Sequence, residues 1–140
     1  MSRRPSWLNP LTSQAASSLC LRDRRTSRVL ATGIETAFDS ATRRRGLLGR
    51  DALPTGHAIV LAPCNAIHTF FMRFAIDVVF VRRSGEIVRV CRSLRPWRLA
   101  IAPRAIAVVE MRAGSIGPDE ARAGDVVELV PLPARPEPDV

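Results

Sequence analysis

The chain has 140 residues, enough to bury roughly two thirds of its unfolded surface around one core, so it reads as one domain with no room for a second. Its formal net charge of +8 comes from 21 basic residues, all arginine. With no Lys and no Tyr present, this is also the bias a GC-rich coding sequence produces, so the charge does not by itself mark a nucleic-acid binder, although it favours salt-dependent encounter with anionic partners.

Cys20, Cys64 and Cys91 form an odd set without a CxxC, which points to reduced thiols rather than a disulfide framework or a zinc knuckle. The first thirty residues contain no apolar stretch long enough for a signal-peptide core, and nothing later approaches a membrane span. A soluble, cytoplasmic protein is expected.

In chain order, residues 1–18 are polar and Ser-rich with Pro5 and Pro10, lack either hydrophobic period, and read as a disordered or loosely attached tail whose one large apolar pair, Trp7 and Leu8, either docks on the domain or stays mobile with it. Leu19 to Leu21 and Val29 to Ile34 read as two short strands joined by a charged turn, an edge hairpin. Asp39 or Ser40 offers an N-cap to a short helix in which Ala41, Arg44, Leu47 and Leu48 fall at helical spacing and Gly49 closes the end. Consecutive side chains on a helix stand about 100° apart, so Arg43, Arg44 and Arg45 cannot all meet one ligand. Arg50, just beyond, is either a ligand contact or a surface arginine capping the helix.

His57 to Ala62 is a strand candidate, residues 64–72 continue as extended chain, and Ile76 to Arg82 is the strongest strand of the sequence. Ser84 and Gly85 form a turn, so Ile76 to Arg82 and Glu86 to Arg92 are expected to pair as an antiparallel hairpin. Residues 94–103 read as a loop held by Pro96 and Pro103. Ala105 to Arg112 is another strand, Ser115 to Ala121 a helical turn, Val126 to Val130 a final strand, and residues 131–140 a proline-rich tail. About seven short strands with one or two short helices predict a mainly β domain over residues 19–130, α+β at the margin, closed as a barrel or stacked as a sandwich. No GxGxxG or GxxxxGK is present.

The stretch from Pro63 to Val81 carries the chemistry, because Cys64, His68, Arg73 and Asp77 stand among β-branched and aromatic neighbours. Cys64 and His68 are four apart, which puts both on one face of extended or helical chain; they are a nucleophile with its base, two metal ligands, or a buried thiol beside a hydrogen-bonded imidazole. Asp77 lies in a run apolar on both strand faces, so its carboxylate needs a partner such as Arg73, Arg50 or backbone amides. Glu110 raises the same question, and two carboxylates facing one cavity could divide acid and base work. Arg95-Pro96-Trp97-Arg98 places an aromatic between two guanidiniums, but no basic helix or repeated aromatic platform accompanies it, so nucleic acid is not the expected partner.

The blocks RRRGLLGRDALPTG, PCNAIHTFFMRFAIDVVFVRRSGEIVRV, LRPWR, VVEMRAG and GDVVEL resemble, in order and spacing, the uncharacterised DUF192 family. Arg43, Gly46, Leu47, Leu48 and Arg50 fit one of its blocks, and Phe71, Met72, Arg73 and Asp77 fit another. Many members carry Trp at the position of Phe71 and Asn-Thr at Phe74 and Ala75; this chain is similar to the subgroup with proline-cysteine and then histidine-threonine ahead of the methionine. The resemblance implies a compact, mostly β fold with a polar patch and implies no established activity. The expected site comprises Arg50, Cys64, His68, Met72, Arg73, Asp77 and Glu110, binding a small anionic or peptide-like ligand or a protein partner, with no cofactor and no metal specified. A Cys/His-dependent enzyme or metal protein, and a purely structural module, are the alternatives.

Overall fold

In the computed structural model of the chain, residues 6–45 and 47–133 are described, without the side chains of residues 44 and 45. Within them, α1 (Pro10–Ser13) and a 3-10 turn (Ala16–Ser18) precede β1 (Leu19–Asp23), β2 (Val29–Ala31) and β3 (Gly33–Ala37). Then come α2 (Ser40–Arg45), β4 (His57–Leu61), β5 (Ala66–His68), β6 (Ile76–Val81), β7 (Ile87–Leu94), β8 (Leu99–Ile101), β9 (Ala107–Arg112) and β10 (Val127–Pro131). The fold is mainly β, as expected, but the ten strands outnumber the seven read from the sequence, and no barrel closes among the described residues.

The central element is a five-stranded sheet in the order β3-β4-β9-β6-β7, antiparallel except for the parallel β3–β4 pair. Successive residues of a strand face opposite sides, and here both sides are covered. Ala58, Val60, Val79, Val81, Val109 and Met111 pack on one side with Leu19, Leu21, Leu30 and Leu129 of the three-stranded sheet β10-β1-β2. Ile59, Leu61, Ile76, Val78, Phe80 and Val108 pack on the other with Leu47, Leu53, Ile67, Met72 and Ala100. Burial on both sides is why β6, IDVVFV, shows no polar alternation and is buried at every position. Truncating the fully buried Phe80 to alanine is expected to cost about 3–5 kcal/mol.

Both predicted hairpins form, but the strand expected over Val29–Ile34 ends at Ala31, and from Gly33 the chain continues as β3 in the five-stranded sheet. β1 and β2 are antiparallel, and so are β6 and β7, joined by a turn in which Gly85 N–H donates to the Arg82 carbonyl. Gly85 has φ +96°, and a Cβ there would stand 2.6 Å from the Val127 carbonyl oxygen, so the close approach of β10 to this turn requires glycine. Asp39 caps α2 by accepting the Thr42 N–H at 2.8 Å, and this bond holds the Asp39 carboxyl below its usual range.

Other expectations also differ from the structure. The helix expected to carry Leu47 and Leu48 and to be closed by Gly49 spans only Ser40–Arg45, and residues 47–49 form turns. The loop expected over residues 94–103 contains β8, which pairs with β5 in a two-stranded antiparallel ribbon; a three-residue strand flanked by prolines has too short a period to read. Residues 115–121 form turns rather than a helical segment. The N-terminal stretch, expected as a loose tail, is placed against the body from Ser6 onward: Trp7 is buried in the core and its backbone N–H donates to the Arg83 carbonyl at 3.0 Å. One indole ring supplies apolar area that no sequence period reveals. Residues 1–5 and 134–140 of the two expected tails lie outside the described residues.

Candidate functional site

β9 is the middle strand of the five, and Glu110 sits at its centre, opposite Ile59 of β4 on one flank and Val78 of β6 on the other. That face is otherwise apolar, yet beside Glu110 it opens into a hollow of about 310 Å³. Leu47 and Leu48 beyond α2, Leu61 of β4, Cys64 just before β5, Ala66, Ile67 and His68 of β5, and Met72 line it, with Ser40 and Arg43 contributed by α2. Glu110 is only 5% exposed, and among the described residues no group donates a hydrogen bond to its carboxyl, whose oxygens reach the solvent of the hollow. Burial pushes that carboxyl up to about 7, opposed by the positive charge of Arg50. Near neutrality Glu110 is therefore divided between an acid that donates a hydrogen bond and a carboxylate that accepts several.

Cys64 is half-buried at the wall of the hollow, its Sγ 3.2 Å from the Ala66 carbonyl oxygen. Burial pushes the thiol up, and the nearby Glu110 adds to this, against the Ala66 backbone and the charge of Arg43, which pull it down. It is a protonated thiol at neutral pH, unlike an activated nucleophile. His68 Nδ1 accepts the Phe70 N–H at 3.3 Å, and its ring stacks on that of Phe70. The sequence spacing thus brings Cys64 and His68 to one hollow, but each bonds to its own loop rather than to the other. Arg43 is braced from behind: its Nη1 donates to the carbonyls of Phe38 at 2.6 Å and Ala62 at 3.2 Å.

The remaining expected residues lie elsewhere. Arg50 lines a neighbouring hollow of about 400 Å³ with Glu35, Thr36, Thr42 and Ile59, and it pairs with Glu35 at 3.0 Å; Leu48 separates the two hollows and lines both. Arg73 is an exposed side chain paired with Asp51, so it is not the partner of Asp77. Asp77 is sealed, with 0% exposure, and accepts backbone N–H groups from Ser93 at 2.8 Å, Gly114 at 3.1 Å and Ile116 at 2.9 Å. The apolar run around Asp77 signals burial, and burial without an adjoining hollow makes a carboxylate a structural tie. Arg73 and Asp77 therefore stand outside the hollow that gathers Cys64, His68, Met72 and Glu110.

Sequence reasoning missed Thr69. Its hydroxyl donates to the Arg95 carbonyl at 2.6 Å and accepts the Arg98 N–H at 2.8 Å, while its carbonyl accepts the Trp97 N–H at 3.0 Å. This buried residue ties the loop after β5 to the loop before β8, and so fixes the wall that carries His68. Its signal in the sequence is the threonine between His68 and Phe70, part of the histidine-threonine pair of the family block but a residue that any strand would tolerate. Among the described residues no three His, Cys, Asp or Glu side chains converge as a metal-binding set.

No curated protein sequence matches the chain. Among solved structures it is similar to a protein of unknown function from Novosphingobium aromaticivorans DSM 12444, with a TM-score of 0.67 at 20% identity over 79% of this chain and 82% of that one. It is also similar to a Sinorhizobium meliloti 1021 protein described as a "putative transcription regulator", with a TM-score of 0.66 at 18% identity over 79% of this chain and 90% of the other. At these identities the likeness shows the shared fold. Residues 22–129 match the model of the DUF192 family, described as an uncharacterised ACR, and the chain belongs to that family.

Proposed function

We propose that the protein is a binding domain for a small peptide-like ligand, held in the hollow between α2, β5 and the centre of β9. The observation that carries this reading is the Glu110 carboxyl: it is almost wholly buried at the floor of an open hollow, and nothing in the described chain donates to it. Desolvation disfavours the ionised form of this carboxyl in the unliganded protein, and a ligand N–H or ammonium group placed against it offsets that penalty. Arg43 at the mouth offers the opposite charge, so a molecule with an amino group at one end and a carboxylate at the other matches the polarity of the site. Leu47, Leu61 and Met72 supply the apolar contact between those ends. The protonated Cys64 and its separation from His68 support binding over nucleophilic chemistry.

Thermal-shift measurements with free amino acids, dipeptides, simple amines and dicarboxylates test the reading. Amine-bearing compounds are expected to raise the midpoint of the wild-type protein and to leave Glu110→Gln unmoved. Equal shifts in both proteins, or stabilisation by dicarboxylates alone, would remove Glu110 from the binding reading.

A further inference from the structure

The large apolar side chains exposed on the described surface include Phe70, Phe71, Trp97, Leu99 and Ile101, all carried by β5, β8 and the loops beside them. In the ribbon, Ala66 pairs with Ile101 and His68 with Leu99, while the intervening Ile67–Ala100 pair is buried, so Leu99 and Ile101 share the outward face. At the end of the ribbon the rings cluster: Phe70 lies 5.9 Å and Phe71 4.6 Å from Trp97, centroid to centroid. Phe71 is 73% and Trp97 56% exposed, and both have φ +65°, a left-handed conformation that bulky side chains rarely adopt. The Thr69 carbonyl, accepting from Trp97 and Met72, holds both loops in that shape. Strained backbone thus keeps two large rings in water, which is a hypothesis of function rather than of stability.

Charge completes the face. Residues 65–76 and 87–109 contain no Asp or Glu, and Arg89, Arg95, Arg98 and Arg104 are exposed with no carboxylate in ion-pair range among the described residues. Arg22, Arg24, Arg25 and Arg28, on the β1–β2 hairpin, are by contrast paired with Glu128, Asp125 and Glu120.

We propose that this ribbon docks the protein peripherally on an anionic phospholipid surface, with Phe71, Trp97, Leu99 and Ile101 entering the interface and the arginines resting on phosphates. Trp and Phe favour the interfacial layer, and arginine adds attraction to anionic headgroups. Other occupants fit less well. Two copies facing each other would oppose like charges. A stacking platform for nucleobases would use the rings alone, whereas here Leu99 and Ile101 continue the exposed apolar face and offer no ring to stack on. A peptide helix needs a groove, and none of the five residues lines either hollow. No helix of the described residues is long and apolar enough to cross a membrane, so the contact is with the surface. The proposal does not depend on the ligand reading.

The test is cosedimentation of the full chain with phosphatidylcholine vesicles, with and without phosphatidylglycerol. The wild-type protein is expected to pellet with the anionic vesicles, less so as NaCl rises. A Phe71→Asn/Trp97→Asn double variant, in which asparagine tolerates the left-handed backbone, is expected to keep its thermal midpoint and bind at least about tenfold more weakly. Arg95→Gln/Arg98→Gln is expected to flatten the salt dependence. Wild-type protein that stays in the supernatant with anionic vesicles, or an asparagine double variant that pellets as well as wild type, would overturn the proposal. So would tighter binding to a thymidine oligonucleotide than to anionic vesicles at the same salt, or self-association abolished by the same asparagine pair while vesicles remain free.

Discussion

Asp77 and Glu110 lie on adjacent strands of one sheet, one position out of register, and so project from opposite faces: Asp77 stands opposite Met111, and Glu110 opposite Val78. A single-residue offset separates an internal tie from a group that faces an open hollow. Shared acid and base work between the two carboxylates is therefore ruled out by the sheet itself.

Asp77 should behave as a structural residue. Its two oxygens accept three backbone N–H groups, one from β7 and two from the loop after β9, and Asn in its place would turn one acceptor into a donor facing those donors. We expect Asp77→Asn to lose about 2–4 kcal/mol of stability in chemical denaturation. A variant as stable as wild type would mean that these amides find other partners.

Glu110 should make stability fall with pH. The folded state raises this carboxyl from its ordinary 4.5 to about 7, so folded protein holds the proton more tightly than unfolded chain between those values. The contribution is intact below about pH 4.5, declines from there, and is fully lost above about pH 7, amounting to about 3 kcal/mol. Glu110→Gln is expected to flatten this slope, so that its urea midpoint exceeds that of wild type at pH 8 and approaches it at pH 5. Parallel pH profiles for the two proteins would contradict the assignment.

Cys64 should be a slow thiol. With its proton held more firmly than in a free cysteine, alkylation by iodoacetamide at pH 7, followed at the Cys64 peptide by mass spectrometry, is expected to run slower than for glutathione. Cys64→Ser should fold normally. Alkylation faster than the free thiol would revive the nucleophile reading.

Thr69→Val should loosen the ribbon without unfolding the sheet. The substitution keeps the shape but deletes a hydroxyl that donates to one loop carbonyl and accepts one loop N–H. A loss of about 1–3 kcal/mol is expected, with faster hydrogen exchange at Trp97 and Arg98 and unchanged protection across β6 and β9. Uniform acceleration over the whole sheet would place Thr69 in the global fold instead.

The sequence was most legible where partners are near neighbours along the chain. The β6–β7 hairpin follows from two apolar runs around Ser84 and Gly85, and the start of α2 follows from Asp39. The β5–β8 ribbon joins three-residue strands about thirty residues apart, too short to show alternation, and it went unread. For the site, Cys64, His68, Met72 and Glu110 line one hollow, because β5 passes over the face on which Glu110 stands, while Arg50 of the expected set lines the neighbouring one. Arg73 and Asp77 do not, since an apolar context shows that a charged group needs a partner but not which partner the loops supply. The exposed rings were equally hidden: Phe71 and Trp97 are distant in sequence, and only their shared anchor at Thr69 brings them together.

The pairing of β1 with β10 sets a condition on biosynthesis. Leu19 finds its partner only in Pro131, so a nascent chain that has already extruded the five strands of the large sheet still lacks the last strand of its cover. Until that strand emerges, one side of the cover sheet has an unpaired edge, and the chain carries a long closure to complete it. Translation pauses late in the message would prolong this sticky interval, whereas early pauses would leave it unchanged.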